Sequence, residues 1–137
     1  MTPSVLHLDA NVVLRFLRND DPSQSPAAAR LFESSKSGRA TLHLSAVILA
    51  EIFYVLVKVY GLRRPEAAAK LLPLVRSDVI EVEQRHRSSA ALQRIIAANV
   101  DFGDAYLAAS AAETGASIAS FDRDFEAFKD VMTVVPR

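Results

Sequence analysis

The stretch that decides the fold is VLHLDANVVLRFL, residues 5–17, in which a short strand leads through an acid into a helix. Residues 5–9 form an apolar run of strand length ending at Asp9, and residues 11–17 carry apolar side chains at helical spacing. The same order recurs where residues 40–44, an alternating segment, precede a helix at 46–60 that Ser45 is suited to cap. This repetition predicts an α/β fold.

Working outward from these two units, the rest of the chain continues to alternate. Ser88 or Ser89 is expected to cap one of the later helices, and Asp101 another. The further helices are predicted at 26–38, 65–76, 89–99 and 102–114, the further strands at 79–82, 117–120 and 132–135, and a helical turn at 124–129. Strands separated by helices imply parallel pairing, and the 22 alanines allow helices to pack closely on a sheet. We predict a three-layer α/β/α sandwich with a mostly parallel, roughly five-stranded sheet.

Length and composition restrict the function classes. A chain of 137 residues fits one domain, and we expect that domain to span residues 1–137. The absence of cysteine excludes disulfide scaffolds, thiolate zinc sites and cysteine nucleophiles. Sixteen cationic residues balance sixteen acidic ones, so adhesion to nucleic acid through a wide basic surface is excluded. The cations are twelve arginines and four lysines, and arginine suits local recognition of phosphate.

The longest apolar stretch, residues 46–57, is too short for a membrane span and is interrupted by Glu51. The opening residues MTPSVLHLD lack the basic region and the long apolar core of a signal peptide. We therefore expect a cytoplasmic protein without membrane contact.

Two acids of the first half lie where a packed core favours apolar residues. Asp9 closes a strand that we expect to be buried, and it is either the N-cap of the next helix or a functional acid. Glu51 lies in AVILAEIFYVLV, where the neighbours three and four positions away are all apolar or aromatic. A buried carboxylate on such a face is costly unless it is paired or binds a metal ion. The alternative for Glu51 is a buried salt bridge to an arginine.

Two acids of the second half complete the set. Asp104 follows Asp101 by three residues, so that both project from one side of a helix start, where one cap suffices. Asp122 and Asp124 follow the strand at 117–120, where a turn acid and a helix cap are the alternative explanation. In parallel sheets, ligands bind beyond the carboxyl ends of the strands, so these acids are expected to converge with Asp9.

Convergence of Asp9, Glu51, Asp104 and Asp122 predicts a metal site, because four carboxylates repel one another unless a cation lies between them. Carboxylate oxygens favour hard ions such as Mg²⁺ or Mn²⁺. Histidine is a poor rival at this site: His7 and His43 lie inside strands, and His86 lies apart from the acids. Such an ion polarises a phosphoryl oxygen and activates water, which predicts metal-assisted hydrolysis of a phosphodiester.

The chain resembles the PIN-domain ribonucleases, specifically the VapC-like toxins of type II toxin–antitoxin pairs. Four segments in order carry the resemblance over nearly the whole chain: LDANVVL (8–14), SAVILAE (45–51), DFGDA (101–105) and SFDRDF (120–125). Two positions depart from the pattern, because Ala10 and Ser120 replace threonines that are commoner there. Ser120 retains a hydroxyl group, whereas Ala10 loses one beside Asp9.

The resemblance implies a Mg²⁺-dependent endoribonuclease that cuts single-stranded regions of structured RNA and is inhibited by a cognate antitoxin protein. It implies that Asp9 and Asp104 are the primary metal ligands, and that Glu51 and Asp122 complete a catalytic four-carboxylate site. Asp124 is expected to have a supporting role.

The roles of three further polar residues stay open. Asn11 either starts a helix or donates a hydrogen bond in the site. Arg15 and Arg18 lie on one face of a predicted helix, where they either contact phosphate beside Asp9 or form an ordinary solvated surface.

Two other function classes remain, a receiver-like phosphoacceptor and a catalytically idle PIN domain that only binds partners. The receiver class needs a lysine near the last strand, and Lys129 lacks the expected strand context. The apolar side chains of residues 46–60, including Phe53 and Tyr54, exceed what one sheet face needs. We therefore predict a homodimer, with an antitoxin helix as the other candidate to cover this surface and an ordinary core helix as the alternative.

Overall fold

The computed structural model describes residues 3–137, so the first two residues of the predicted domain lie outside the described part. The strands are β1 (Ser4–His7), β2 (Ala40–Leu44), β3 (Glu81–Val82), β4 (Ile118–Ala119) and β5 (Thr133–Val134). The helices are α1 (Ala10–Arg18), α2 (Gln24–Lys36), α3 (Ala46–Lys58), α4 (Arg64–Arg76), α5 (Arg85–Ala98) and α6 (Phe102–Thr114), and a 3₁₀ turn covers Arg123–Ala127. The predicted order of strands and helices is confirmed.

All strand pairing is parallel, as predicted, but the five strands form two sheets. One sheet has the order β1-β2-β3, and the other consists of β4 and β5, which pair over only two residues each. Strand β1 lies at an edge, with residues 4–7 all exposed and Val5 at 62%. The expectation that this strand is buried was therefore wrong, because its apolar composition alone does not specify which elements cover it.

Nearly all buried apolar side chains form one cluster, which includes residues of the helices, of the larger sheet and of the segment from Ile118 to Phe128. Helix α5 packs between α4 and α6, and α1 packs against α2 and α3. Several alanines of these helices are fully buried, among them Ala67 and Ala68 of α4 and Ala105 and Ala108 of α6. Small buried side chains permit a close approach of neighbouring elements.

Local capping explains several helix boundaries. The hydroxyl of Ser45 accepts a hydrogen bond from the Ile48 amide at 3.2 Å, as predicted for the start of α3. Gly115 ends α6 in the left-handed region at φ 70°. The prediction of a cap at Ser88 or Ser89 was wrong, because α5 begins at Arg85 and Ser88 is buried within it.

Helix α3 is the most apolar helix, and its buried face consists of Leu49, Ile52, Phe53 and Leu56. Glu51 lies on the opposite, exposed face, so the prediction of a buried mid-helix carboxylate was wrong. A helix that is apolar on every side does not reveal from sequence which side faces the core. Within residues 3–137, no helix combines the length and the apolar character needed to cross a membrane.

Candidate functional site

The residues that the structure gathers most tightly are Asp104, Asp122 and Asp124, here called the acidic cluster. Each offers one carboxylate oxygen, and these oxygens all lie within 4.8 Å of one another. Asp104 comes from the first turn of α6, and the other two come from the turn that follows β4. Two of the four predicted site acids therefore lie together, with Asp124 as the third member.

The position of Asp104 follows from how α6 begins. The Asp101 carboxylate accepts a hydrogen bond from the Phe102 amide at 2.9 Å, which orients the first turn of the helix. Buried Phe102 and Ala105 on the inner side of α6 then turn Asp104 toward the segment after β4. The predicted cap at Asp101 is confirmed, and it leaves the Asp104 carboxylate available.

Two short side-chain turns hold the other members of the acidic cluster. The hydroxyl of Ser120 accepts a hydrogen bond from the Asp122 amide at 2.9 Å. One oxygen of Asp122 accepts a hydrogen bond from the Asp124 amide, also at 2.9 Å. These turns fix the backbone after β4, so Ser120 positions the acids without belonging to their cluster.

The electrostatics of the acidic cluster are unfavourable without a cation. The pKa of Asp104 is raised above its ordinary value, first by partial burial and then by the negative charges of Asp122, Asp101 and Asp124. The guanidinium of Arg64 opposes this effect and lowers the pKa of Asp104. A carboxylate whose charge is penalised in this way gains from a bound cation.

A cavity of about 340 Å³ opens beside the acidic cluster. Its lining includes Asp104 and Asp124 together with Arg64 and Asn99. Arg64, at the start of α4, also donates a hydrogen bond to the carbonyl oxygen of Asn99 at 3.4 Å. Sequence reasoning missed Arg64, because it is far from Asp104 in the chain and no motif connects the two.

Asp9 and Glu51 are not members of this compact cluster. Asp9 occupies the N-cap position of α1, but its exposed side chain accepts no capping hydrogen bond. The carboxylate is therefore not used as a helix cap. Glu51 projects from the exposed face of α3 and has no salt-bridge partner among residues 3–137.

The arginines of α1 form contacts of their own. Arg15 donates a hydrogen bond to Gln24 Oε1 at 2.8 Å and lies 3.5 Å from an Asp20 oxygen. The Arg18 guanidinium lies over the Tyr60 ring, 4.8 Å from its centroid. Contacts with Asp20, Gln24 and Tyr60 thus account for the positions of both arginine side chains.

Oxygen donors within one ion's reach match the requirements of a hard divalent cation. Three carboxylates offer oxygens at the right spacing, and their mutual repulsion falls when an ion binds. Asp122 and Asp124 are exposed and Asp104 is half-buried, which leaves room for water ligands. The residues therefore fit a hard divalent cation such as Mg²⁺.

Comparison with known proteins identifies the family of the chain. A model of the PIN domain matches residues 6–131. Among proteins with curated descriptions, none matches significantly. Similar crystal structures include VapC20 of Mycobacterium tuberculosis, a sarcin-ricin loop cleaving toxin, with 24% identity and a TM-score of 0.42; the match covers 92% of this chain and 95% of that one. Another is VapBC2 of Rickettsia felis bound to a DNA fragment from its promoter, with 14% identity and a TM-score of 0.39; this match covers 95% of this chain and 97% of that one.

Proposed function

Since the chain belongs to the PIN domain family, we propose that it is a Mg²⁺-dependent endoribonuclease that hydrolyses RNA phosphodiesters as one domain over residues 1–137. The observation that carries this proposal is the acidic cluster, with three carboxylate oxygens within 4.8 Å beside an open cavity. Mn²⁺ has the same preference for oxygen ligands and is expected to substitute for Mg²⁺.

The proposal assigns distinct tasks to the acids. Asp104 and Asp122 hold the ion, and Asp124 joins them because its carboxylate lies within the same 4.8 Å. Resemblance to the PIN-domain ribonucleases adds Asp9 as a ligand and Glu51 as a further acid of the site, so that Asp124 joins the four acids that the sequence predicted. When bound, the ion supplies Lewis-acid polarisation of a phosphoryl oxygen and a lowered pKa for water.

RNA contact is expected to be local. The sequence has no net charge, so affinity depends on a few cations near the cleavage site. Arg64 lies beside Asp104 and is close enough to influence its pKa. Arg123 adjoins the acidic cluster, with a side chain that is 90% exposed. These two guanidinium groups are suited to bind the phosphates on either side of the scissile bond.

We also propose that the protein is the toxin of a toxin–antitoxin pair, on the resemblance to VapC-like toxins. A groove of about 470 Å³ between α1 and α2 is a candidate binding surface for an antitoxin, because Val12, Ala28 and Leu31 give it an apolar lining. A cationic antitoxin side chain that enters the acidic cluster would compete with Mg²⁺ through charge-assisted hydrogen bonds. The proposal includes a cytoplasmic location, where the RNA substrate is found.

Competition at the acidic cluster makes the antitoxin proposal testable. The affinity of a co-purified antitoxin should fall as Mg²⁺ rises, and Asp104→Asn should weaken the complex. Affinity that stays flat across a Mg²⁺ titration, and is unchanged in Asp104→Asn, would place the inhibitor outside the site.

A homodimer remains part of the proposal. Val47 and Tyr54 on the outer face of α3 are 76% and 60% exposed, which supports an apolar contact there. Phe53, which the sequence suggested for the same surface, belongs to the core at 2% exposure.

Cleavage of a structured RNA with single-stranded loops, in Mg²⁺ and in a chelator, is the direct test. Cleavage that requires Mg²⁺ or Mn²⁺ would support the proposal. Binding of the same RNA without any cleavage, by a folded protein in Mg²⁺, would identify the catalytically idle alternative. Membership of the PIN domain family excludes the receiver-like alternative.

A further inference from the structure

A second group of potential metal ligands lies on the larger sheet, apart from the acidic cluster. In the parallel register, His7 of β1 pairs with His43 of β2, and His43 pairs with Glu81 of β3. Residues paired in this way project from the same face of a sheet. Two imidazoles and one carboxylate therefore lie side by side across three neighbouring strands.

The two imidazoles, here called the histidine pair, already have a spacing suited to one ion. Their ring centroids are 5.2 Å apart. Two imidazoles bound to one tetrahedral ion through nitrogen–metal bonds of about 2.1 Å have ring centres roughly 5 Å apart. The strand positions of the two rings are therefore compatible in spacing with a shared ion.

The histidine pair borders an open cavity with both polar and apolar lining. A cavity of about 370 Å³ is lined by His7, His43 and Glu81, and also by Ser45 and Glu83. One oxygen of Glu83 accepts a hydrogen bond from the Ala46 amide at 3.0 Å, which holds this second carboxylate at the cavity wall. The cavity has room for an ion and its water ligands.

We propose that His7, His43 and Glu81 form a binding site for a borderline divalent metal ion such as Zn²⁺. Neutral imidazole suits Zn²⁺ and its neighbours in the transition series, whereas Mg²⁺ prefers oxygen ligands. Two histidines, one carboxylate and a water molecule complete a tetrahedral set. The ligand atoms of this trio do not all lie within 4.8 Å of one another, as those of the acidic cluster do, so the proposal includes a change of side-chain rotamer at the exposed Glu81.

An ion held in this way would connect the exposed edge strand β1 to β2 and β3. Strand β1 leads within two residues to Asp9, and among the strands of residues 3–137 it pairs with β2 alone. An ion that binds the folded chain and not the unfolded chain stabilises the folded state, so Zn²⁺ should raise the melting temperature.

The test is calorimetric titration of the full chain with Zn²⁺ in excess Mg²⁺, which fills the acidic cluster. His7→Gln and His43→Gln should each weaken Zn²⁺ affinity at least about tenfold, since loss of even an outer-shell partner costs about 10–100-fold. Both variants should also lose the Zn²⁺-dependent rise in melting temperature. His7 is exposed, so that His7→Gln is expected to stay folded even if the half-buried His43 does not tolerate change.

The chain offers a matched control, because His86 is the only other histidine and lies exposed on α5. His86→Gln and Asp104→Asn should both bind Zn²⁺ as the unmodified protein does. Co²⁺ in place of Zn²⁺ should give the intense visible absorption of a tetrahedral site, and His7→Gln should abolish it. Zn²⁺ affinity that is unchanged in His7→Gln, or that falls equally in His86→Gln or Asp104→Asn, would overturn the proposal.

Discussion

The carboxyl ends of the two sheets carry different ligand atoms. Beyond β4 the acidic cluster offers only carboxylate oxygens, whereas paired positions of β1, β2 and β3 offer the histidine pair and Glu81. Oxygen ligands favour hard ions, and imidazoles favour borderline ions. On the two proposals made above, the sheets suit different kinds of metal ion, and the side chains that they carry make the difference.

The largest expected effect belongs to the acidic cluster. Asp104→Asn should lower Mg²⁺-dependent RNA cleavage at least about a hundredfold, because it removes a ligand charge at nearly constant volume. Initial cleavage rates at saturating Mg²⁺ measure the loss. Asp78→Asn, an exposed acid between α4 and β3, is the matched control and should cleave normally. Full activity in Asp104→Asn would show that the catalytic centre does not include this residue of α6.

The second-largest expected effect is the loss of cleavage on substitution of Asp9, which lies outside the acidic cluster. Asp9→Asn should lower cleavage by about 10–100-fold, less than Asp104→Asn, because Asp9 lies outside the compact group. Circular dichroism should show an unchanged fold, since the Asp9 side chain makes no capping hydrogen bond. Equal losses in the two variants would show that Asp9 contributes as much to ion binding as Asp104 does, and full activity in Asp9→Asn would remove Asp9 from the site.

A smaller effect concerns Arg64, the cation beside Asp104. Arg64→Gln should weaken RNA binding by a few-fold and reduce the slope of log affinity against log salt by about 0.7, the value for one phosphate contact on a single strand. Binding to an uncleavable RNA at several salt concentrations measures both quantities. Arg30→Gln, on the exposed side of α2, is the control and should leave the slope unchanged.

The smallest effect is on stability without metal. Because the pKa of Asp104 is raised in the folded protein, the folded state binds this proton more tightly than the unfolded chain does. The free energy of unfolding therefore falls as pH rises through the pKa that Asp104 has in the folded protein. This loss of stability is absent below pH 3.8, the ordinary pKa of an aspartate.

Asp104→Asn should accordingly raise the melting temperature by roughly 1–3 °C at neutral pH in chelator, and the difference should vanish below pH 3.8. Added Mg²⁺ should reverse the order, because only the original protein gains a full ligand set. A variant that melts below the original protein in chelator at neutral pH would contradict charge repulsion at Asp104.

Much of the secondary structure was predictable because its causes are local. Hydrophobic periodicity and the caps at Ser45, Asp101 and Gly115 involve residues within a few positions of one another. The same locality placed Asp104 at a helix start and Asp122 after a strand. The sequence by itself therefore determined the order of elements and the acids that each of them carries.

Other features required the tertiary structure, because they depend on residues that are distant in the chain. Which face of α3 is buried depends on the elements packed against it, so Glu51 was misjudged. The approach of Arg64 to Asp104 depends on how α4 and α6 pack around α5. The adjacency of His7, His43 and Glu81 depends on strand register. Non-local packing and pairing thus decided which side chains meet, since no short-range pattern encodes them.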